Sequence, residues 1–166
     1  MTPKPSELGR LTLRLATSDD ASLVFSFMQK LGAYQKMLDE VTSTEQSLRH
    51  LIESGQGSAL LGYCDGKAIG LLFFNQTSSA FTGRTGLFVD ALYVEDGYRH
   101  LGFGRLMMQH LCALAQQKGD QFVEWGCLDW NSQAIAFYFG MGAYSLDTMR
   151  VYRLSPDSIA KAAAGS

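Results

Sequence analysis

Long apolar runs are missing from this sequence. No stretch of its 166 residues approaches the roughly 20 apolar positions that a bilayer-spanning helix needs. The amino terminus, Met1-Thr2-Pro3-Lys4-Pro5, has no apolar block of the kind a secretory leader carries, so a cytoplasmic protein is expected. Positive charge is not in excess either. Fourteen Lys and Arg against 16 Asp and Glu give a formal net charge of −2, and there is no basic stripe, which argues against nucleic-acid binding. Cysteine is scarce. Cys64, Cys112 and Cys127 are widely spaced and odd in number, so they build neither a disulfide framework nor a zinc pattern. Reduced, mostly buried core thiols are expected, and no metal site. Internal repeats, low-complexity blocks and interdomain linkers are also lacking. What remains, 46% hydrophobic and 18% charged residues, is ordinary for one soluble domain with its own core.

The chain alternates strand and helix signals. Leu11, Leu13 and Leu15 alternate with polar neighbours as in a half-buried strand. Thr17 before Ser18-Asp19-Asp20 starts a helix that carries Leu23, Phe27, Leu31 and Tyr34. Thr42 with Glu45 resembles a capping box for a short helix to about Glu53. Two apolar runs, Ala59–Cys64 and Ala68–Phe74, flank Asp65-Gly66, a strong hairpin signal. Residues 75–86 read as a polar connection to a third strand ending at Val94. A helix follows with Phe103, Met107, Leu111 and Leu114-Ala115 on one face, and Gly119 ends it. Phe122–Leu128 reads as a buried strand and Gln133–Phe139 as a short helix capped from Asp129–Ser132. Two further β segments are expected at 143–146 and 149–154, then a weakly helical tail from Ser155. The order β-α-α-β-β-β-α-β-α-β predicts a mixed α/β sheet, with residues 1–9 a flexible lead, 10–154 one domain and 155–166 a tail.

The segment Leu87–Leu106 carries the chemistry. A strand there runs through Arg99-His100-Leu101-Gly102-Phe103-Gly104 into a helix, and free backbone N–H groups at a helix start suit a phosphate or pyrophosphate. A dinucleotide fingerprint needs a third glycine where Met107 stands, and a P-loop needs a Gly-Lys-Ser/Thr that is absent. Two glycines alone fit equally a turn that only lets helix and strand pack closely.

A second block decides between them. Asp129-Trp130-Asn131-Ser132-Gln133-Ala134-Ile135-Ala136-Phe137-Tyr138, followed by Gly142-Ala143, resembles the W-N-x-x-x-x-x-F-Y…G-A signature of the GNAT superfamily of acetyl-CoA-dependent N-acetyltransferases. Arg99–Gly104 fits the same family's R/Q-x-x-G-x-G/A loop, in the right order, and the β/α order agrees across residues 10–154. Leu31-Gly32-Ala33-Tyr34 before Asp39-Glu40, Phe74-Asn75 with Gly83–Leu87, and Val89–Val94 look most like the diamine and thialysine (spermidine/spermine-type) branch. The resemblance implies the GNAT fold, a mixed and mostly antiparallel sheet of six to seven strands flanked by about four helices. It also implies a homodimer.

It further implies a site. Acetyl-CoA would be the co-substrate, with backbone groups of Leu92, Tyr93 and Val94 along its pantetheine arm. Arg99 and the amides of His100, Leu101, Gly102, Phe103, Gly104 and Arg105 would lie at its pyrophosphate, with Asn131 as helix cap or polar contact and Tyr138 at the sulfur. A primary amine near pKa 10.4 must lose a proton before it attacks a thioester, and a carboxylate near the attack point can take it. Asp90 is the candidate, in the place of the branch's substrate-contacting acid. Tyr138 matches the family's tyrosine, which protonates the departing thiolate. Tyr34, Asp39, Glu40, Asp90 and Glu124 are the candidate substrate contacts. Cys127 is the one cysteine with a case for reactivity, and His50 and His110 are expected at the surface.

The acidic pocket of the branch is depleted here. Asp90-Ala91 stands for Glu-Asp, Tyr34-Gln35 for Tyr-Glu, Met149-Arg150 for an acid-rich stretch, and Phe139 for a basic residue. A polyamine needs several matching carboxylates, so a monoamine or a lysine-like amine fits at least as well. The reading is direct attack on acetyl-CoA in a ternary complex by the primary amine of a diamine, polyamine, thialysine or lysine-like molecule. The alternatives are a silent CoA-binding or sensing domain, an acetyltransferase acting on a protein or amino-acid amine, and an interaction module that keeps only the fold.

Overall fold

The computed structural model describes residues 10–165, so the expected lead over residues 1–9 lies outside them. The chain divides after Gly126 into two compact units. The first holds β1 (Leu11–Leu15), α1 (Ala21–Tyr34), α2 (Glu45–Glu53), β2 (Ser58–Cys64), β3 (Lys67–Ser79), β4 (Arg84–Val94), α3 (Phe103–Lys118) and β5 (Val123–Trp125). Its five strands lie in the order β1-β2-β3-β4-β5. Every pairing is antiparallel except β4 with β5, which is parallel. The second unit holds α4 (Ser132–Gly140) and α5 (Pro156–Ala163). The mixed, mostly antiparallel sheet with flanking helices is the expected class, with five strands instead of six to seven and five α-helices instead of about four.

The two faces of the sheet bury different helices. Leu61 and Leu71 are register partners in the cluster with Phe73, Ala91 and Tyr93, which packs against Val24 and Phe27 of α1 and Leu48 of α2. The neighbouring register pair, Gly62 and Gly70, points to the other face. A Cβ on Gly70 would stand 3.1 Å from the Met107 sulfur of α3 and 3.0 Å from the Tyr93 carbonyl oxygen. A bare backbone there lets α3 lie close against β3. Phe103, Met107, Met108, Leu111 and Ala115 are the buried stripe of α3, matching its apolar period.

Several local expectations shift. The cap of α2 is Thr44, whose hydroxyl accepts from the Ser47 N–H at 3.1 Å, so Glu45 opens the helix and Thr42 is not its cap. Residues 75–86 are mostly strand: β3 continues to Ser79 and β4 begins at Arg84, a long two-stranded arm whose polar alternation resembles a loop in sequence. The strand expected over Phe122–Leu128 shortens to Val123–Trp125 and is not fully buried. Residues 143–154 form no strand, because an alternating pattern becomes a strand only when it has an edge to pair with. The tail is ordered as α5, capped by the Ser155 hydroxyl on the Ser158 N–H at 3.2 Å with Pro156 at the first helical position. Of the cysteines only Cys64 is buried. Cys112 lies beside the buried stripe of α3, and it and Cys127 are exposed.

Candidate active site

β4 carries an irregularity at its centre. Phe73 partners Ala91 and Phe74 partners Val89, so Asp90 is an extra residue with none opposite it, a β-bulge. The β5 pairing stops at the same place, with Val89 opposite Trp125. Beyond it, among the described residues, β4 pairs with β3 on one side only. The Glu95 N–H donates to the Ile69 carbonyl at 2.8 Å, and antiparallel residues alternate in the neighbour they bond. Ala91 and Tyr93 therefore bond toward β3, while Leu92 and Val94 turn their N–H and C=O toward the open edge. Asp90 is exposed, and strand alternation up to the bulge puts it on the face of Phe88, the register partner of Glu124. Two carboxylates thus share a face where β4 and β5 part.

After Val94 the chain makes a single 3₁₀ turn, Asp96–Tyr98, and reaches α3 through two residues with positive φ. His100 has φ 63° and Gly102, the N-cap, has φ 90°. The first bond of the helix runs from the Leu106 N–H to the Gly102 C=O at 3.0 Å, so the amides of Phe103, Gly104 and Arg105 precede it. The first turn of α3 contains no acidic residue. The positive end of a 16-residue helix suits an anion, and it lies beside a turn whose alternating backbone concentrates N–H groups.

The Arg99 side chain folds back toward the strand. Its Nε donates to the Val94 carbonyl at 2.7 Å, and a terminal nitrogen pairs with the Asp96 carboxylate at 2.6 Å. Its guanidinium lies 4.0 Å from the Tyr34 ring centroid and 5.2 Å from that of Tyr93. Lys30, one turn before Tyr34 on α1, forms an ion pair with Glu95, whose other oxygen is 3.4 Å from the Tyr93 hydroxyl. Burial first, then the Glu95 carboxylate, pushes the Tyr93 hydroxyl above its ordinary value. Asp39 and Glu40 sit exposed on the 3₁₀ turn Leu38–Glu40 that follows α1.

In the second unit the Asn131 side chain caps α4 by accepting from the Ala134 N–H at 3.2 Å. Tyr138 lies on α4 with its ring centroid 5.2 Å from that of Phe137. Burial pushes its hydroxyl up to about 12, and Cys127 adds to the shift in the same direction. Burial also raises the Cys127 thiol, which favours the inert, protonated form over a reactive thiolate.

A model of the acetyltransferase (GNAT) family matches residues 26–142. The chain belongs to that family. A thialysine N-epsilon-acetyltransferase of Caenorhabditis elegans is 31% identical over 122 residues, which is 74% of this chain and 76% of the relative. The Sus scrofa thialysine N-epsilon-acetyltransferase is 27% identical over 157 residues, covering 84% and 87% of the two chains. Among solved structures, an integron cassette protein from the mobile metagenome of V. cholerae superposes with a TM-score of 0.76 at 20% identity, covering 93% of this chain and 98% of its own. That likeness establishes the fold.

For a GNAT acetyltransferase, the first unit gathers most of the residues singled out from sequence. Asp90, Leu92, Val94, Arg99, His100, Leu101, Gly102 and the α3 start line one continuous run, with Glu124 beside the bulge. Asn131 and Tyr138 belong to the second unit. Three features escaped sequence reading: the Arg99–Tyr34 stacking, the Arg99–Val94 bond and the Lys30–Glu95–Tyr93 chain. The spacing of Lys30 and Tyr34 on one helical face was the available signal for the last and the first of these, but nothing local paired either residue with its partner.

Proposed function

We propose that this GNAT acetyltransferase transfers an acetyl group from acetyl-CoA to the primary amine of a small molecule by direct attack in a ternary complex. The observation that carries the reading is the bulge at Asp90, which lies where β4 loses its β5 partner and begins an open edge leading to an acid-free helix start. The residues fit the co-substrate. Leu92 offers its edge N–H and C=O, and Val94 its N–H, to an extended amide-bearing arm, and the amides from His100 to Arg105 offer an anion site. When bound, acetyl-CoA supplies a thioester carbonyl and a thiol leaving group.

This chain's own residues supply the rest. Asp90 holds the cationic amine and takes up its proton, directly or through one water, because the aspartate arm is short. An edge N–H of β4 is directed at charge that develops on the carbonyl oxygen. Tyr138 holds a proton that it can give to sulfur. With its hydroxyl near 12 and an ordinary thiol near 8.5, transfer in water would be uphill by about 3.5 units, roughly 5 kcal/mol. Donation therefore requires a sulfur as shielded from water as Tyr138 is.

The names of the relatives support an amine of the thialysine or lysine type, and Asp39, Glu40 and Glu124 are the further contacts we assign to it. A polyamine fits less well, because the exposed acids are few. We also assign a homodimer, supported by the exposed apolar side chains of Tyr144, Met149, Val151 and Tyr152, and a cytoplasmic location. No described helix is long and apolar enough to cross a membrane.

The test is thiol release from acetyl-CoA against a panel of thialysine, lysine, ornithine, diamines, polyamines, amino acids and lysine peptides. Release with a free lysine-like amine is expected. CoA binding with no release across the panel would replace this reading with a silent CoA-binding domain, and release only with peptides would move the acceptor to a protein.

A further inference from the structure

We propose that Arg99 is a positioning residue that joins α1 to the edge of β4, and that Tyr34 supports CoA binding through it instead of contacting the amine. The inference rests on the reading that the open edge of β4 and the start of α3 hold CoA. Arg99 touches three elements at once. Its Nε holds the Val94 carbonyl at 2.7 Å, its guanidinium covers the Tyr34 ring at 4.0 Å, and its third contact is Asp96 at 2.6 Å. These contacts differ in weight. The Asp96 side chain is 86% exposed while that of Arg99 is 22% exposed, so solvent screens the ion pair and the Val94 bond and the Tyr34 stack dominate.

Val94 is the last residue of β4 and presents its peptide groups to the open edge. Its carbonyl is already taken by Arg99, so the orientation of that terminal peptide plane is set by a side chain from the loop that follows. The same loop continues into His100 and Gly102, whose positive φ angles aim the amides at the helix start. Fixing Arg99 thus fixes both the strand end and the turn. Tyr34 is the last residue of α1 and is 40% exposed, so its ring supports little of the core. Its structural work is to provide a flat surface for the guanidinium, which a lysine could not use in the same way. The ring face under the guanidinium is therefore occupied, and it is not available to an ammonium group of the acceptor.

Isothermal titration of CoA into the unaltered chain, Tyr34→Leu, Arg99→Met and the double variant tests this, with thermal unfolding of each as a folding control. Tyr34→Leu is expected to weaken CoA about fivefold and Arg99→Met about tenfold or more, with the double variant no weaker than Arg99→Met. Arg99→Gln, which keeps a donor for Val94 but cannot cover the ring, should match Tyr34→Leu, and it replaces Arg99→Met in the cycle if that variant does not fold. The KM of the amine should stay within twofold in Tyr34→Leu. CoA binding within twofold of the unaltered chain for Tyr34→Leu, a fivefold loss that persists in the Arg99→Met background, or a tenfold rise in amine KM would each overturn the inference and leave the proposed function standing. If the unaltered chain binds no CoA, the reading of the site falls and this inference falls with it.

Discussion

Tyr138 and Asp20 show how single ionisable groups are held in opposite directions. Burial raises the Tyr138 hydroxyl to about 12, so it stays protonated throughout the range in which a protein remains folded. An acceptor amine loses its proton as pH rises toward about 10.4. The acetylation rate should therefore climb through pH 8 to 9.5 without a fall caused by Tyr138. A kcat profile that turns down within that window would assign the acid to a more acidic group. Replacing Tyr138 with Phe should lower kcat about 100-fold while CoA affinity stays within twofold, since only proton donation is lost. Asp20 runs the other way. Its carboxylate accepts from the Arg14 guanidinium at 2.7 and 2.8 Å and from the Thr17 N–H at 2.8 Å. The Arg14 bonds, foremost, hold it down from 3.8 to about 2. The unfolded chain then binds this proton more readily than the folded one, so the stability is present above pH 3.8 and disappears as pH falls to about 2. After allowing for solvent screening of the half-exposed arginine, Asp20→Asn should cost about 1 kcal/mol at pH 7 and nothing near pH 2, read from urea unfolding at the two pH values.

At the scale of the element, the bulge in β4 separates shape from charge. Asp90→Asn keeps the extra residue and removes only the acid. It should lower kcat about 100-fold with CoA affinity retained. Deleting Asp90 instead would let Val89 and Ala91 follow one another against Phe74 and Phe73 in a regular ladder. That chain should fold, because the core partners are unchanged, yet bind CoA at least tenfold more weakly, because the strand no longer turns away from β5. Equal CoA affinity in the two variants would show that the bulge is not what forms the edge. Elements differed in how far sequence exposed them. The β2–β3 hairpin was legible because Asp65 and Gly66 take φ of 51° and 77°, values that their residue types favour. α3 was legible because Met107 and Leu111 repeat at the helical period. The bulge was not, since apolar alternation continues through Val89, Ala91 and Tyr93 with no break. The cap of α2 was misplaced by two residues because Thr42 and Thr44 offer the same hydroxyl, and only the extended backbone at Thr44 selects between them.

For the whole molecule, the order of strands and helices along the chain followed from its periodic patterns, and the family followed from two short motifs. What stayed hidden depends on partners distant in sequence. β5 shrank to three residues because it has one neighbour, β4, over only three register pairs. Residues 143–154 did not become strands because no edge among the described residues pairs with them. Arg99 and Tyr34 meet only once β4 and α1 are packed on the same sheet face. The candidate site residues read from the sequence were backbone and glycine positions with the side chains of Asp90 and Tyr138, and the contacts that could not be read were side chains reaching across elements. This arrangement couples the ligand to the stability of the fold. A ligand that bridges the β4 edge and the start of α3 binds only where both are in place, so it stabilises the folded chain by RT ln(1 + [L]/Kd). At a CoA concentration of about 100 Kd this is roughly 2.7 kcal/mol. For a chain of this size it corresponds to a rise in unfolding midpoint of about 5–11 °C. Gly102→Ala forces a side chain onto φ 90° at the helix cap, so it should lower the unliganded midpoint by a few degrees and abolish most of the CoA-dependent rise. A full CoA-dependent rise in that variant, measured by differential scanning calorimetry, would show that the turn before α3 does not hold the anion.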